Sequence, residues 1–277
     1  MPIKFFKYLK ESKDKNICIK EARPSKINEN LIEGYYAFSC SGLANKELIF
    51  NDGFPVMVFM PDKEDTLEVC INNHVKKIRT AWISGGRTQN IYIENINRLD
   101  YILVVRFKPL LFYNFLGIDN YIFKEAPILQ LDQLIVRPDW INKFIDDIYS
   151  FSDIGKKISY IDSFISSRIA NNIDFPMLEY ILNIIDENKG VISVSEIIKE
   201  TGLNYKWLGR AFQNYIGMSP KEYLKSQRFL NSYLDLIDSD SHPLDIVANR
   251  GYYDYNHLMK DFKAYTGYTP YTCLQKR

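Results

Sequence analysis

Between Ser195 and Pro270 the chain says nearly the same thing twice, and no other feature limits its folding as much. The first copy reads SEIIKETGLNYKWLGRAFQNYIGMSP (Ser195–Pro220) and the second LDIVANRGYYDYNHLMKDFKAYTGYTP (Leu244–Pro270). Glu196, Ile197, Ile198 and Gly202 recur as Asp245, Ile246, Val247 and Gly251, 49 residues on. Leu208, Phe212, Tyr215, Gly217 and Pro220 recur as Leu258, Phe262, Tyr265, Gly267 and Pro270, 50 residues on. The second copy therefore carries one extra residue in its turn. A repeat of this length is one supersecondary unit used twice.

Each unit reads as helix, tight glycine turn, helix. In the first, Ser193 or Ser195 caps a short helix with Glu196 in its first turn, and Gly202 ends it. A second helix then runs from about Asn204 to Tyr215. This is the helix-turn-helix pattern, whose second helix enters the DNA major groove and meets base edges with its N-terminal residues. Leu208, Phe212 and Tyr215 form an apolar stripe that must face the core, as do Leu258, Phe262 and Tyr265. Tyr205, Lys206, Gly209, Arg210 and Gln213 remain outside in the first unit, and Tyr255, Asn256, His257, Lys260 and Lys263 in the second. Lysine and arginine reach guanine O6 and N7, and asparagine suits adenine.

Between the copies, Ser219-x-x-Glu222 with Pro220 at the first helical position opens a helix to Asp238. At 1.5 Å per residue it is roughly 28 Å long. Two recognition helices on such a rod can address adjacent turns on one face of DNA, about 34 Å apart. Lys221, Lys225 and Arg228 near its start, with Tyr205, Gln213, Tyr255 and Lys263 of the two units, are candidates for phosphate contacts, which position without specifying.

Charge is neutral evidence here. From Pro176 onward Lys plus Arg and Asp plus Glu both number twelve, and the whole chain carries +1. No bulk field draws it to nucleic acid. The electrostatic argument rests on basic residues gathering on the recognition and connecting helices. The alternative is a ligand- or protein-binding module whose degenerate helix-turn-helix units do not bind DNA.

Upstream the pattern changes to period two. Candidate strands are Tyr35–Cys40, Lys46–Phe50, Pro55–Met60, Thr66–Ile71, Lys76–Ser84, Asn90–Asn95 and Tyr101–Lys108, rich in β-branched and aromatic residues. Asn51-Asp52-Gly53, Asn72-Asn73 and Gly85-Gly86 supply turns. Seven short strands argue for an antiparallel barrel or sandwich. PVMVFM and YILVVRF, as continuous apolar runs, should be the most buried. Tyr35, Tyr36, Phe59, Trp82, Arg87 and Tyr92 are candidates to line an effector pocket; the competing reading makes them core and rim residues. Helices are expected at about 109–117, 139–151 and 159–171, and their apolar stripes can pack on the barrel or on a second subunit. Polar Asn171–Asp174 before Pro176 marks the domain boundary. The expectation is an α+β chain of two domains: residues 1–174, β-rich, and 175–277, all-α, with two helix-turn-helix units joined by a long helix.

No catalytic arrangement is visible. Cys18, Cys40, Cys70 and Cys273 are scattered, without CxxC spacing, and read as free thiols. His74, His242 and His257 lie far apart. A DNA-repair methyltransferase would need a reactive cysteine in a metal or base-activated setting, and Cys18, Cys40 and Cys70 have no such neighbours. Neither cofactor, metal nor enzymatic activity is expected. The opening MPIKFFKYLKESKDKN lacks the apolar run of a signal peptide. There is also no stretch of about 18 apolar residues, so a cytoplasmic location without membrane association is expected.

Ser195 to Leu274 resembles the DNA-binding domain of the AraC/XylS family of bacterial transcription regulators. GLNYKWLGRAFQNYIGMSPKEYL is similar to the family's first recognition helix and the start of its connecting helix. DIVANRGYYDYNHLMKDFKAYTGYTPYTCL is similar to its second unit, including the F-K-x-Y-x-G-x-T-P ending. More weakly, NDGFPVMVF, WISGGRTQNIYI and YILVVRFKPLLFYNFLGI resemble a β-rich sensor-type domain that precedes it in some members. The resemblance implies promoter binding, activation through RNA polymerase, and control by a small molecule or by homodimerisation. Carried over by position, Lys206, Gly209 and Arg210 would face bases in the first unit, and Asn256, His257 and Lys260 in the second. Gly209 stands where members often have a longer polar side chain, and Lys260 where arginine is common. Ile198 and Val247 are bulkier than the usual small residue.

Overall fold

The computed structural model describes residues 1–10, 14–71, 74–86, 88–134, 139–168, 176–238 and 242–275. The expected turn at Asn72-Asn73, Arg87, and the expected boundary Asn171–Asp174 lie outside them. Among the described residues no helix is long and apolar enough to cross a membrane.

Among the described residues a short helix, α1 (Phe5–Lys10), precedes ten strands. These are β1 (Cys18–Ala22), β2 (Ile32–Ser39), β3 (Lys46–Leu48), β4 (Val56–Phe59), β5 (Thr66–Ile71), β6 (His74–Arg79), β7 (Ala81–Ser84), β8 (Ile91–Glu94), β9 (Tyr101–Phe107) and β10 (Ile128–Gln130). They form two antiparallel sheets, ordered β1-β2-β9-β4-β7-β10 and β3-β8-β5-β6. Of the barrel and the sandwich, the chain adopts two separate sheets rather than a closed barrel. The run Lys76–Ser84, expected as one strand, is two. Thr80 takes a left-handed φ of 61° and breaks it, so β6 pairs in the smaller sheet and β7 in the larger. The kink is held by hydrogen bonds: Thr80 N–H donates to Asp65 O at 3.1 Å, and its Oγ1 to Lys63 O at 2.7 Å.

The period-two alternation sorts the core. Tyr35, Met57, Phe59, Ile83, Leu103 and Val105 point to one face of the larger sheet and Tyr36, Val58, Trp82 and Val104 to the other. The second set packs on Leu67, Val69, Ile78 and Ile93 of the smaller sheet. The first set is covered by α2 (Pro109–Leu116), α4 (Ile141–Tyr149) and α5 (Ile154–Ser166), so β4 and β9 are buried on both faces, as continuous apolar runs require. The apolar stripes of α4 and α5 are thus spent on the chain's own sheet, with Phe59 and Phe144 6.0 Å apart ring to ring. The helix expected at 159–171 begins five residues earlier, because Asp153 caps it: its Oδ1 accepts from Lys156 N–H at 2.8 Å. A single-turn helix, α3 (Ile122–Glu125), follows α2.

The C-terminal part is α6 (Pro176–Glu187), α7 (Val194–Thr201), α8 (Tyr205–Ala211), α9 (Pro220–Asp238), α10 (Pro243–Asn249), α11 (Tyr255–Thr266) and α12 (Pro270–Gln275). The expected capping box opens α9: Glu222 N–H donates to Ser219 Oγ at 3.3 Å, and Ser219 N–H to Glu222 Oε2 at 2.9 Å. The two units extend different halves of the core. Leu178, Ile197, Leu208 and Phe212 join the cluster under α2, α4 and α5. Phe229, Ile246, Leu258 and Phe262 join the cluster between the sheets.

Candidate nucleic-acid interface

Local chemistry builds each unit in the same way. Ser193 is the N-cap of α7, in a capping box with Glu196. Gly202 ends α7 at a φ of 69°, in the left-handed region where glycine has no Cβ penalty. Asn204 then caps α8, its Oδ1 accepting from Trp207 N–H at 2.8 Å. In the second unit His242 and Asp245 box α10, and Asp254 caps α11 by accepting from His257 N–H at 2.7 Å. The cap follows Gly202 by two residues and Gly251 by three, which locates the extra residue of the second turn. Helix α8 closes in a π-helical turn over Phe212–Ile216 before Gly217, whereas α11 remains regular to Gly267.

Leu208 and Phe212, and likewise Leu258 and Phe262, are buried as the stripes require, and so is Tyr265. Its counterpart Tyr215 is only half-buried. Lys206 and Arg210 on α8 and Asn256, Lys260 and Lys263 on α11 are exposed; Gly209 is half-buried, with nothing within 4 Å of where a Cβ would stand. Tyr205 and Lys221 are exposed, and Gln213 and Tyr255 half-buried.

Lys225, Arg228 and His257 are engaged within the protein. Lys225 Nζ lies 2.9 Å from Asp261 Oδ1, and Arg228 Nη2 3.2 Å from Asp261 Oδ2, with Asp261 only 1% exposed. The Arg228 guanidinium also lies over the Tyr252 ring, 4.6 Å from its centroid. The His257 ring stands edge-on to Tyr252 at 5.2 Å, with Nε2 3.3 Å from Arg228 Nη2. These side chains fasten α11 to α9, so a buried carboxylate, invisible to one-dimensional reading, draws the cations inward.

Two aromatics went unremarked. The capping residues Asn204 and Asp254 are 50 apart, and this register sets Lys206 opposite Asn256, Trp207 opposite His257 and Arg210 opposite Lys260. Trp207 is 40% exposed, and Tyr253, in the second turn, 92%. Aligning on the caps would have found Trp207, the outward partner of an inward-turned histidine.

The five effector candidates among the described residues do not converge. Tyr35 and Phe59 belong to the core beneath α4 and α5, the Tyr35 hydroxyl donating to Asp162 Oδ1 at 2.9 Å. Tyr36 and Trp82 are buried in the other core, and Arg87 is outside the described residues. Period two sends Tyr35 and Tyr36 to opposite faces, so these two could never share one pocket. Among the described candidates Tyr92 lines a cavity of about 620 Å³, together with Phe5, Leu43, Leu48, Tyr233 and Tyr268, and Tyr36 lines a separate groove with Glu33 and Lys108. The cavity lies between the smaller sheet and the second unit, and its lining includes Lys4, which pairs with buried Glu47 (2.9 Å), and Lys46, which pairs with Glu94 (2.8 Å) outside the cavity. Among the described residues no group of His, Cys, Asp or Glu could hold a metal ion.

Residues 197–276 match the family described as the helix-turn-helix domain. No curated protein matches the chain. Among solved structures, the C-terminal domain of AraT, a response regulator from Geobacillus stearothermophilus, is similar over 37% of this chain and 87% of that one, at 16% identity and a TM-score of 0.35. The C-terminal domain of the two-component response regulator yesN from Fusobacterium nucleatum is similar over 35% of this chain and 95% of that one, at 26% identity and a TM-score of 0.33. ToxT from Vibrio cholerae is similar over 87% of this chain and 96% of that one, at 14% identity and a TM-score of 0.46.

Proposed function

We propose that this chain, whose last third is an AraC-type helix-turn-helix domain, is a transcription activator that reads two adjacent major-groove half-sites of promoter DNA. The observation that carries the reading is the matched exposure of Lys206 and Arg210 on α8 and Asn256 and Lys260 on α11, on helices otherwise anchored by identical core residues. Because the outward residues differ between copies, the half-sites differ in sequence. Lys221 and Lys263 supply phosphate contacts.

Selection of duplexes from a random pool by the full chain, followed by binding across a salt series, tests this. Two distinct motifs, and an affinity that falls steeply with salt through counterion release, are expected. Salt-independent or undetectable binding would favour the alternative of a ligand- or protein-binding module. The inward pairing of Lys225 and Arg228 is the observation on that side. Activation is read by in vitro transcription with RNA polymerase.

The 620 Å³ cavity around Tyr92 is the proposed effector site: lined by apolar and aromatic side chains and by Lys4, Lys7 and Lys46, and shared with the second unit through Tyr233, Thr266 and Tyr268. Mass spectrometry of small molecules that copurify with the chain, against a cavity-filling Leu43→Trp variant, tests it. A compound retained equally by both places the effector elsewhere.

A further inference from the structure

Both recognition helices end on carbonyl groups that the β-rich part of the chain satisfies. The last four carbonyls of a helix have no partner within it. At the end of the first recognition helix, beyond α8 proper, the Asn120 side-chain amide donates to Gln213 O at 2.7 Å and to Asn214 O at 2.9 Å. A carboxamide has two N–H donors, and Asn120 uses both. At the end of α11, Asn90 N–H donates to Tyr265 O at 2.8 Å, and the Tyr92 hydroxyl to Thr266 O at 2.5 Å.

The local backbone is arranged for this approach. Asn90 adopts a left-handed φ of 50°, a conformation in which asparagine is enriched. Gly267, with a φ of 76°, leaves room for it: a Cβ there would stand 2.8 Å from Asn90 Oδ1. A third contact lies on the rod between the units. Gln227 Nε2 on α9 donates to Asp52 O at 2.6 Å. Gly53, in the same turn, lies under Tyr223, whose Cε2 would be 2.3 Å from an added Cβ. The β-rich part thus touches the end of the first recognition helix, the body of α9 and the end of the second. Core packing already seats each unit on the β-rich part, and the directional hydrogen bonds at both helix ends add a fixed orientation to that seating.

We propose that Asn120, Asn90 and Tyr92 are positioning residues that fix the two recognition helices relative to each other, and with that the half-site separation the protein accepts. This rests on the reading that both units bind DNA. Half-site spacing is a geometric property of the protein that docks; one inserted base pair moves a half-site by about 3.4 Å and rotates it.

The test uses the full chain and an Asn120→Ala/Tyr92→Phe double variant, which removes the side-chain donors and leaves the packing nearly intact. First, amide hydrogen exchange in the free protein should be roughly tenfold faster at residues 213–218 and 264–268 in the variant, with the sheet interior unchanged. Second, duplexes selected by the wild-type chain are rebuilt with one base pair inserted or removed between half-sites. The wild type should lose about tenfold or more in affinity and the double variant less than about threefold, a tenfold change being 1.4 kcal/mol. Unchanged exchange, or a spacing penalty equal to that of the wild type, overturns the positioning role while DNA binding stands. A pool that yields no enriched duplex overturns the DNA-binding reading and this proposal with it.

Discussion

The Arg106 guanidinium grips the Asp52 carboxylate with two parallel hydrogen bonds, Nη1 to Oδ1 at 2.9 Å and Nη2 to Oδ2 at 2.6 Å, and both side chains are buried. Arg106 comes from β9 and Asp52 from the turn before β4, the turn whose backbone also accepts from Gln227 on α9. The ion pair therefore braces the loop on which the connecting rod rests.

Removing one partner of a buried pair leaves the other charge uncompensated, at a cost of about 3–5 kcal/mol. Arg106 keeps a second partner, Glu33 Oε2 at 3.2 Å from Nε, so Asp52→Asn should lower the unfolding free energy by about the lower end of that range. Burial by itself raises the Asp52 carboxyl, but the Arg106 guanidinium beside it outweighs burial and holds the group below the ordinary carboxylate value. A carboxyl depressed in the folded state contributes stability above its unfolded value, about pH 4, and loses it as pH falls through the folded value. Thermal melts from pH 7 down to pH 2 should show this acid limb in the wild type and a shallower one in Asp52→Asn. Parallel limbs would refute the assignment.

Lys221 and Lys225 stand one turn apart on α9 and should behave differently. Lys221 is exposed, whereas Lys225 pairs with buried Asp261. Lys221→Ala should reduce the slope of log affinity against log salt by about 0.9. Lys225→Ala should lower the melting temperature and leave that slope unchanged. Equal slopes for the two variants would show that Lys225 leaves Asp261 to meet phosphate.

Helix α8 carries a glycine where a side chain would fit. Gly209 has no positive φ and no heavy atom within 4 Å of a built Cβ, so Gly209→Ala should stabilise the chain by about 0.8–1 kcal/mol. Chemical denaturation measures the gain. Gly209→Gln places an amide on the outward face and should introduce adenine preference at one position of the first half-site. Destabilisation by alanine would mean that the space is taken.

On the proposed DNA-binding reading, an empty position 209 shifts more of the first unit's readout onto Arg210. Arg210→Ala should cost about 1–3 kcal/mol and relax sequence choice at one position of that half-site, leaving the second untouched. Binding measured on each single-base variant of a selected duplex separates this from a uniform loss, which would mark Arg210 as a phosphate contact instead.

Sequence alone determined whatever is written within a few residues. The repeat, the capping box at Ser219 and Glu222, the left-handed glycines at 202, 217 and 267, and the strand Thr66–Ile71 all rest on local rules of periodicity, capping and turn geometry. Tertiary structure decided everything that depends on which faces meet. Lys76–Ser84 looked like one strand because nothing in its alternation records that Thr80 turns the chain from one sheet into the other. Tyr35 and Tyr36 shared a list of pocket candidates although the pleat sends them into separate cores. Lys225 and Arg228 look outward in sequence because their inward partner, Asp261, is brought to them only when α11 packs against α9, and the same packing sets His257 against Arg228. The same holds for Asn120, an ordinary turn residue in sequence, whose amide finds the end of the first recognition helix 93 residues away. A hydrogen bond or ion pair needs its atoms within about 3–4 Å, and for residues so far apart along the chain only the packed fold sets that distance.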